Sequence, residues 1–347
     1  MQRICISIRN AGYDVTLIGR ELPYSKPLNP KPFKQIRWKM LFNSGKLFYL
    51  FFNLRLFIHY LFNKYHIIVA NDLDTMAAGF LAAKFKRIPL VYDAHEYFPQ
   101  LPEVVHRPFT HWVWQTLEKF TVPRTKYCYT INQSYANIFK KKYGKDFQIF
   151  RNIARLEAAE IPERKDKFIL YQGAVNVGRG IEQMIEAMQF LDYKLVICGR
   201  GDVFEKCQQL SKQFKVEDKV EFKGFVPPEE LRIITLQASL GFTFFTNDGD
   251  SYYYSLANRF FDYFHNGVPQ LCMNYPEYAA INKQYKIAYL VDDLSVPKIV
   301  EAVNTVLKNP DYYNELAQNC LKARVSLSWQ NEAKRLVTFY DKIAESL

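Results

Sequence analysis

Short apolar runs alternate with amphipathic segments along almost the whole chain, and this alternation restricts the possible fold more than any other feature. Neighbouring parallel strands need a crossover connection, usually a helix, so the alternation predicts parallel sheets covered on both faces. Strands are predicted at residues 13–18, 66–70, 89–92, 126–131, 147–150, 168–171, 194–198, 220–222, 240–244, 270–273 and 288–291. The predicted fold class is therefore α/β, with doubly wound Rossmann-like domains.

The length of 347 residues is enough for two such domains. Residues 155–167 are charged, contain a proline and lack a long apolar face, which is typical of a linker. We therefore predict a first domain over residues 1–155 and a second over residues 156–327. Residues 328–347 form a last amphipathic pattern, which predicts a helix that buries its apolar side on the first domain.

The start of the chain departs from the usual order of a doubly wound domain, which is strand, glycine loop, helix. Residues 3–12 already have a helical pattern, and the first strand is predicted only from Tyr13. We therefore expect that the first strand of the first domain is missing and lies upstream. A sheet without its central strand predicts low stability for this form.

Positive charge is concentrated near the start. Residues 1–66 hold eleven Lys and Arg against Asp14 and Glu21, whereas the net charge of the whole chain is +11. Residues 33–62 combine this charge with many aromatic side chains, which predicts either peripheral contact with an anionic membrane or a helix buried against the first sheet. The chain has no nucleic-acid recognition motif, so no nucleic-acid partner is predicted. Without a signal-peptide pattern at its start, it is expected in the cytoplasm, at the inner face of the membrane if this region binds lipid.

The sharpest local signal is the segment FILYQGAVNVGRGIE, which begins at Phe168. A buried strand ends at Gly173, and a loop containing Arg179 and Gly180 leads into a helix. Glycines let the backbone approach a ligand, while Arg179 and free amides at a helix start favour phosphate. The next strand ends at Gly199, where a nucleotide base or ribose would lie. Each element alone also fits an ordinary tight turn.

A third segment runs from Ser251 to Leu271. Asn258 is predicted to cap a helix that carries Arg259 and Asp262 one turn apart. Asp262 is flanked by aromatic residues, so its carboxylate needs donors if it is buried. Vicinal ribose hydroxyls would supply them; a salt bridge with Arg259 is the structural alternative.

In the first half, a buried strand delivers three polar residues to its carboxyl end, where open parallel sheets bind ligands. They are Asp93, His95 and Glu96, and Asp72 ends the preceding strand in the same way. His95 is a candidate catalytic residue, with a turn cap as the alternative. The three acidic residues are weaker candidates for the acceptor side. Asp74 is predicted to be the N-cap of the following helix, with a catalytic acid as the alternative.

Several motifs together resemble the retaining glycosyltransferases of family 4, of bacterial type. They are VYDAHEYF, YQGAVNVGRGIE, FKGFVPPEEL and LSWQNEAKRL. The resemblance implies the GT-B architecture, two Rossmann-like domains with a last helix that crosses back to the first. It also implies a nucleotide-sugar donor, a glycan or lipid-linked acceptor, and no metal or other cofactor. Arg179, the second candidate catalytic residue, would bind the diphosphate, Asp262 the ribose, and His95 would lie near the sugar and the acceptor. The other candidate donor-binding residues are Gly173, Gly180, Gly199, Asn258 and Arg259.

The sequence departs from the family pattern at several positions. A family glutamate that touches the donor sugar is Tyr254, a second basic residue is Ala174, and the signature proline and lysine are Ala257 and Arg259. The predicted function is transfer of a sugar, of hexosyl type and with retention, in cell-surface polysaccharide or glycolipid synthesis, with activity lowered by the missing strand. The alternatives are a non-catalytic nucleotide-sugar or glycan binder and a sugar-nucleotide epimerase.

Overall fold

Parallel strands joined by helices make up both halves of the computed structural model, which describes residues 1–23, 25–157 and 167–347. The chain divides into two units: Met1–Arg151 with Gln330–Leu347, and Asn152–Trp329. Most of the predicted linker, residues 158–166, lies outside the described residues. The α/β class and the two Rossmann-like domains predicted from the alternation are confirmed.

The first unit contains two parallel sheets, one with the order β1-β2 and one with the order β3-β4-β5-β6. The strands are β1 (Thr16–Glu21), β2 (Lys34–Lys39), β3 (Ile68–Asn71), β4 (Leu90–Ala94), β5 (Tyr127–Thr130) and β6 (Gln148–Ile149). The helices are α1 (Gln2–Asn10), α2 (Gly45–Phe62), α3 (Met76–Lys86), α4 (Pro102–Val105), α5 (Pro108–Thr121) and α6 (Gln133–Tyr143). Every strand predicted here is present, with the largest shift at β1.

Strand β2 was not predicted, and the helix expected over residues 33–62 begins only at Gly45. The charged sequence KQIRWK hides the period-two pattern, because only Ile36 and Trp38 supply apolar side chains on alternate positions. These two residues pair with Ile18 and Arg20 of β1. Since β2 lies at the edge of its sheet, charged side chains are tolerated there.

The two sheets of the first unit border a cavity of about 540 Å³. Its lining includes Leu17 and Ile18 of β1 together with Ile68 and Val69 of β3. Among the residues that the structure describes, β1 pairs with β2 alone and β3 with β4 alone. Both strands therefore have an open edge at this cavity. That a further strand belongs between them stays a prediction.

The second unit contains one sheet of six parallel strands in the order β12-β11-β10-β7-β8-β9. The strands are β7 (Phe168–Gln172), β8 (Lys194–Cys198), β9 (Val220–Gly224), β10 (Leu240–Thr243), β11 (Gln270–Met273) and β12 (Ala288–Val291). The helices are α7 (Ile181–Ala187), α8 (Phe204–Gln213), α9 (Pro228–Gln237), α10 (Asp250–Tyr253), α11 (Asn258–His265), α12 (Pro276–Tyr285), α13 (Val296–Leu307) and α14 (Pro310–Ser326). This strand order is that of a complete Rossmann fold, with its reversal between β7 and β10.

The last helix, α15 (Trp329–Ala344), lies almost entirely in the first unit. The Tyr13 hydroxyl donates to Asp341 Oδ1 at 2.6 Å. The Phe339 ring lies 5.7 Å from the ring of Phe150, a residue that follows β6. An amphipathic last helix needs an apolar surface to bury, and here the first unit supplies that surface.

Candidate functional site

Two glycine loops meet at the carboxyl ends of β7 and β8. The Gly173 amide donates to the Cys198 carbonyl at 2.9 Å, and the Gly199 amide donates to the Gly224 carbonyl at 2.7 Å. Gly199 has a φ of +151°, and a Cβ at this position would lie 1.8 Å from the Gly173 oxygen. No other residue fits at this position, so glycine here keeps the two loops in contact.

Arg179 lies in the loop between β7 and α7. The loop is fixed by the Thr246 amide, which donates to the Gly178 carbonyl at 2.9 Å. Gly180 has a φ of +68°, and a Cβ there would lie 2.5 Å from Phe244 Cβ. The Arg179 guanidinium lies 4.7 Å from the centre of the Phe245 ring, and its buried Nε has no hydrogen-bond partner among the described residues.

Arg259 approaches the same aromatic ring from α11. Its side chain is buried, with only 7% of the residue exposed, and its guanidinium lies 4.8 Å from the centre of the Phe245 ring. Nη2 donates to the Phe244 carbonyl at 3.2 Å, whereas Nε has no partner among the described residues.

The two guanidinium groups therefore share one aromatic ring. Within the described part of the chain, no ion pair joins Arg179 or Arg259 to a carboxylate. Two buried or half-buried positive charges without a counter-ion are costly in a protein interior. An anionic ligand would remove that cost, and a diphosphate offers several oxygens to two such donors.

The Asp262 carboxylate is oriented by a buried amide. Gln172 Nε2 donates to Asp262 Oδ2 at 3.0 Å, and Gln172 Oε1 accepts from Thr235 Oγ1 at 2.8 Å. The alternative of a salt bridge with Arg259 is not realised, because Arg259 makes no ion pair among the described residues.

The predicted cap at Asn258 is wrong. Helix α11 begins at Asn258 itself, after Ala257, and no side-chain hydrogen bond caps its first turn. Asn258 is exposed at the helix start. The signal fails because Asn is favoured at a cap only where its oxygen can reach the following amides, which sequence alone does not decide.

The topology of the sheet explains why these residues come together. Gly173 follows β7, whereas Phe245 follows β10, and these two strands are neighbours at the point where the strand order reverses. Open α/β sheets bind ligands in the crevice beyond the carboxyl ends of the strands at this point. The glycine loops, the two arginines and Asp262 therefore lie at the crevice where open α/β sheets bind ligands.

In the first unit, His95 and Asp93 form an ion pair at the end of β4. His95 Nε2 lies 3.0 Å from Asp93 Oδ1, without the alignment of a hydrogen bond, and Asp93 is fully buried. The Tyr129 hydroxyl donates to Asp93 Oδ2 at 2.8 Å. Burial lowers the pKa of His95, but the charges of Asp93 and Asp72 outweigh it, so the pKa lies above its usual value.

Asp72 holds the backbone of this site in place. Its carboxylate Oδ1 accepts the amides of His95 at 2.8 Å and Glu96 at 3.3 Å. Its own φ is +55°, a conformation that costs a non-glycine residue on the order of 1–3 kcal/mol. Burial raises the pKa of Asp72, whereas the neighbouring His95 lowers it. The structure thus brings together all four predicted residues of the first unit.

Asp74 does not have its predicted role as a helix cap. It lies in a short 3-10 turn, Leu73–Thr75, and α3 begins at Met76 after Thr75. No side-chain bond caps this helix. Among the described residues, no group of three or more His, Cys, Asp and Glu side chains is placed to hold a metal ion.

The aromatic residues that contact Arg179 and Arg259 in the second unit were not predicted from the sequence. Besides Phe245, the Tyr252 ring lies 5.0 Å from the Arg179 guanidinium, and the Tyr171 ring lies 5.0 Å from that of Arg259. Sequence periodicity assigns such residues to the core, and only the folded structure shows that they also support the arginines.

Models of two glycosyltransferase families match the chain. The model described as "Glycosyltransferase Family 4" matches residues 1–152, and the model described as "Glycosyl transferases group 1" matches residues 154–323. The two matches follow one another and together account for nearly the whole chain.

Solved structures of glycosyltransferases share the fold. A sucrose-phosphate synthase from Thermosynechococcus elongatus has a TM-score of 0.84 and 16% identity, covering 99% of this chain and 92% of that one. WaaG, a glycosyltransferase involved in lipopolysaccharide biosynthesis, has a TM-score of 0.71 and 16% identity, with 96% and 93% covered. HepE from Anabaena, solved in complex with UDP and glucose, has a TM-score of 0.68 and 15% identity, with 91% and 86% covered.

A curated relative matches only a short stretch. Over 71 residues, 19% of this chain, the sequence is 38% identical to an uncharacterized glycosyltransferase, MJ1607, from Methanocaldococcus jannaschii. The chain spans only 18% of that relative's length. The family models and the shared fold agree with the glycine loops at the strand reversal. The chain therefore combines a domain that matches glycosyltransferase family 4 with a domain that matches the group 1 glycosyl transferases, and it has the GT-B fold.

Proposed function

We propose that the protein transfers a sugar from a nucleoside diphosphate to a hydroxyl group of a glycan or lipid-linked acceptor. The observation that carries this proposal is the pair of arginines, Arg179 and Arg259, that share the Phe245 ring without a carboxylate partner among the described residues. In the proposed complex, the diphosphate is their counter-ion. Phosphate oxygens match the fixed fork of a guanidinium.

Charge development explains how this arrangement would accelerate transfer. When the sugar–oxygen bond breaks, negative charge grows on the leaving diphosphate and the sugar becomes oxocarbenium-like. Preorganised donors at the leaving group lower this barrier, because they need not reorganise as the charge appears. In the proposal, Arg179 and Arg259 have this role, without a metal or other cofactor.

The remaining residues have roles in binding. Each carboxylate oxygen can accept more than one hydrogen bond. We therefore propose that Asp262, oriented by Gln172, also accepts from a ribose hydroxyl. We propose that His95, whose raised pKa favours the protonated form, donates to an oxygen of the acceptor or sugar. Asp72 and Asp93 position His95 rather than react.

Finer features of the proposal come from the family resemblance. They are retention of configuration, a hexosyl group as cargo, and a role in polysaccharide or glycolipid synthesis in the cytoplasm of a bacterium. HepE has been solved with UDP-glucose, so uridine nucleotides are the first donors to test. Tyr254 and Ala174, which replace two family residues, favour a second candidate, a binder that holds a nucleotide-sugar without turnover.

Calorimetry with a panel of nucleoside diphosphates tests the donor site. We expect Arg179→Ala to weaken binding by about tenfold to a hundredfold, because a charge-assisted contact contributes roughly 1.5–3 kcal/mol. Arg179→Lys should lose less. Arg232, which forms an ion pair with Glu157 elsewhere in the second unit, provides the control: Arg232→Ala should bind like the wild type. Equal affinity of Arg179→Ala and the wild type would remove Arg179 from the site.

A further inference from the structure

Helix α2 is apolar on two opposite sides. Phe48, Phe52 and Leu56 are buried and pack in one cluster with Trp38 of β2. The other side carries exposed leucines at Leu47, Leu50 and Leu54. Helices that are apolar all round normally lie in a protein core or in contact with lipid. The buried side explains the attachment of α2 to its sheet; the exposed side requires a different explanation.

Two neighbouring helices also carry exposed apolar side chains. Helix α3 contacts both α2 and α5, and the Tyr49 ring of α2 lies 5.2 Å from the Trp114 ring of α5. On the outside of these helices, Phe62, Phe85 and Trp112 are 84%, 76% and 61% exposed. We call the exposed sides of α2, α3 and α5 the outer face. Soluble proteins rarely expose so many large apolar side chains on helices that pack together unless these side chains bind something.

The charges on the same three helices have one sign. The exposed charged residues of the outer face are Lys46, Lys84 and Lys119. Arg55 instead lies over the Trp38 ring, and Lys86 donates to the carbonyls of Tyr60 and Asn63. The acidic residue of these helices is Glu118, which is buried and forms an ion pair with Lys142 at 2.6 Å. The outer face therefore combines apolar side chains with positive charge, and its partner should be apolar and anionic.

The apolar side chains and positive charge of the outer face favour an anionic bilayer over a second copy of the chain as its partner. A second copy would bring the same positive charges opposite one another, which is unfavourable at an interface. An anionic bilayer offers negative headgroups above an apolar interior, and aromatic and aliphatic side chains enter that boundary beside lysines. No helix within the described ranges has the length and apolar character needed to cross a bilayer.

We propose that the outer face binds the surface of an anionic lipid bilayer. The apolar side chains of α2, α3 and α5 enter the boundary between headgroups and acyl chains, and the lysines contact lipid phosphates. This proposal rests on the first unit alone and holds whether or not the proposed sugar transfer is correct. It extends the membrane contact predicted for residues 33–62 to α3 and α5, and places the strand β2 beneath the surface rather than on it.

Flotation with lipid vesicles tests the proposal. The purified full chain is mixed with vesicles of phosphatidylcholine alone, or with vesicles of two parts phosphatidylcholine to one part phosphatidylglycerol. We expect the protein to float with the anionic vesicles and to bind the neutral vesicles about tenfold more weakly. Added salt should weaken binding to the anionic vesicles, because it screens the lysines.

Matched variants distinguish lipid binding by the outer face from nonspecific adsorption of the protein to vesicles. Phe62→Ser with Trp112→Ser should lower the partition coefficient by about tenfold or more. Lys84→Glu with Lys119→Glu, which leaves the apolar side chains in place, should lower binding to the anionic vesicles only. Phe190→Ser removes an exposed aromatic residue of the second unit and should bind like the wild type. Melting curves establish that each variant is folded.

Three results would overturn the proposal. The first is a wild-type protein that floats with neither kind of vesicle. The second is a double variant at Phe62 and Trp112 that binds as tightly as the wild type. The third is a dimer, seen by light scattering, that this double variant dissociates while the wild type ignores lipid; the outer face would then join two copies. Nucleoside diphosphate binding, measured in parallel, shows whether the donor site is intact in each case.

Discussion

Among single residues, the contact between Asp93 and His95 leads to a prediction about the pKa of His95. The carboxylates of Asp93 and Asp72 outweigh burial and raise the pKa of His95. Asp93→Asn removes one negative charge but keeps an oxygen that can accept from the Tyr129 hydroxyl. We therefore expect the pKa of His95, followed by NMR titration, to fall in this variant. Asp341→Asn, at the partner of Tyr13, is the control and should leave the pKa of His95 unchanged.

The same pair has a defined effect on stability. Because the pKa of His95 is raised on folding, the protonated pair stabilises the fold fully below the unfolded histidine pKa of about 6.5. This stabilisation is lost as the pH rises through the folded pKa. The difference in unfolding free energy between wild type and Asp93→Asn should therefore shrink with rising pH. A difference that grows with pH would show that His95 is not protonated by this pair.

Gly199 tests the contact between the two glycine loops. Gly199→Ala would place a Cβ 1.8 Å from the Gly173 oxygen at a φ of +151°, so the loops must separate. We expect a loss of about 3 kcal/mol or more in unfolding free energy, together with weaker nucleotide binding. Gly19→Ala is the matched control, because a Cβ there meets no atom within 4 Å. Equal melting temperatures of the two variants would contradict the described geometry.

Among the strands and helices, the cavity between β1 and β3 is the feature that leads to a prediction. We expect the first unit to accept one more strand there. Helix α1 lines this cavity with Ile4, Cys5 and Ile8, which fall on one side of the helix, and α1 leads directly into β1. A strand joined to the start of α1 would therefore run parallel to β1 with α1 as its crossover helix. Its backbone would pair with both open edges.

An extended form of the chain tests this prediction. We would add a strand of about five apolar, β-branched residues and a short glycine loop before Met1. The added strand should raise the unfolding free energy by about 2 kcal/mol or more and protect amides of β1 and β3 from hydrogen exchange. The control has proline at alternate strand positions, which cannot donate to a ladder. If both extensions behave alike, the cavity does not bind a strand.

The bounds of individual strands and helices show how far the sequence predicts the fold. The bounds of β8, β11 and β12 agree with the predicted ranges, because an uninterrupted apolar run fills each strand after its first residue. Strand β2 was missed because its edge position allows charge to mask the alternation. The predicted helix is longer than α2 for the same reason, because the basic and aromatic residues of β2 continue the composition of α2.

In the second unit, the sequence predicts which residues lie near the reversal of strand order better than it predicts the contacts that hold them there. Arg179 and Gly180 stand in one motif, so their proximity follows from local spacing. Phe245, which brings Arg179 and Arg259 together, follows another strand and enters the site only through the reversal of strand order. Local patterns cannot supply such a contact, because it depends on which strands become neighbours.

The most direct test of the proposed function is release of nucleoside diphosphate from a panel of nucleotide-sugars, with and without hydroxyl-bearing acceptors. We expect release that requires an acceptor, a glycosylated product in the same amount, and a rate lowered by Arg179→Ala but not by Arg232→Ala. Tight nucleotide binding without acceptor-dependent release would contradict transfer and identify a binding protein. Conversion of the donor to its epimer, with no diphosphate released, would identify an epimerase instead.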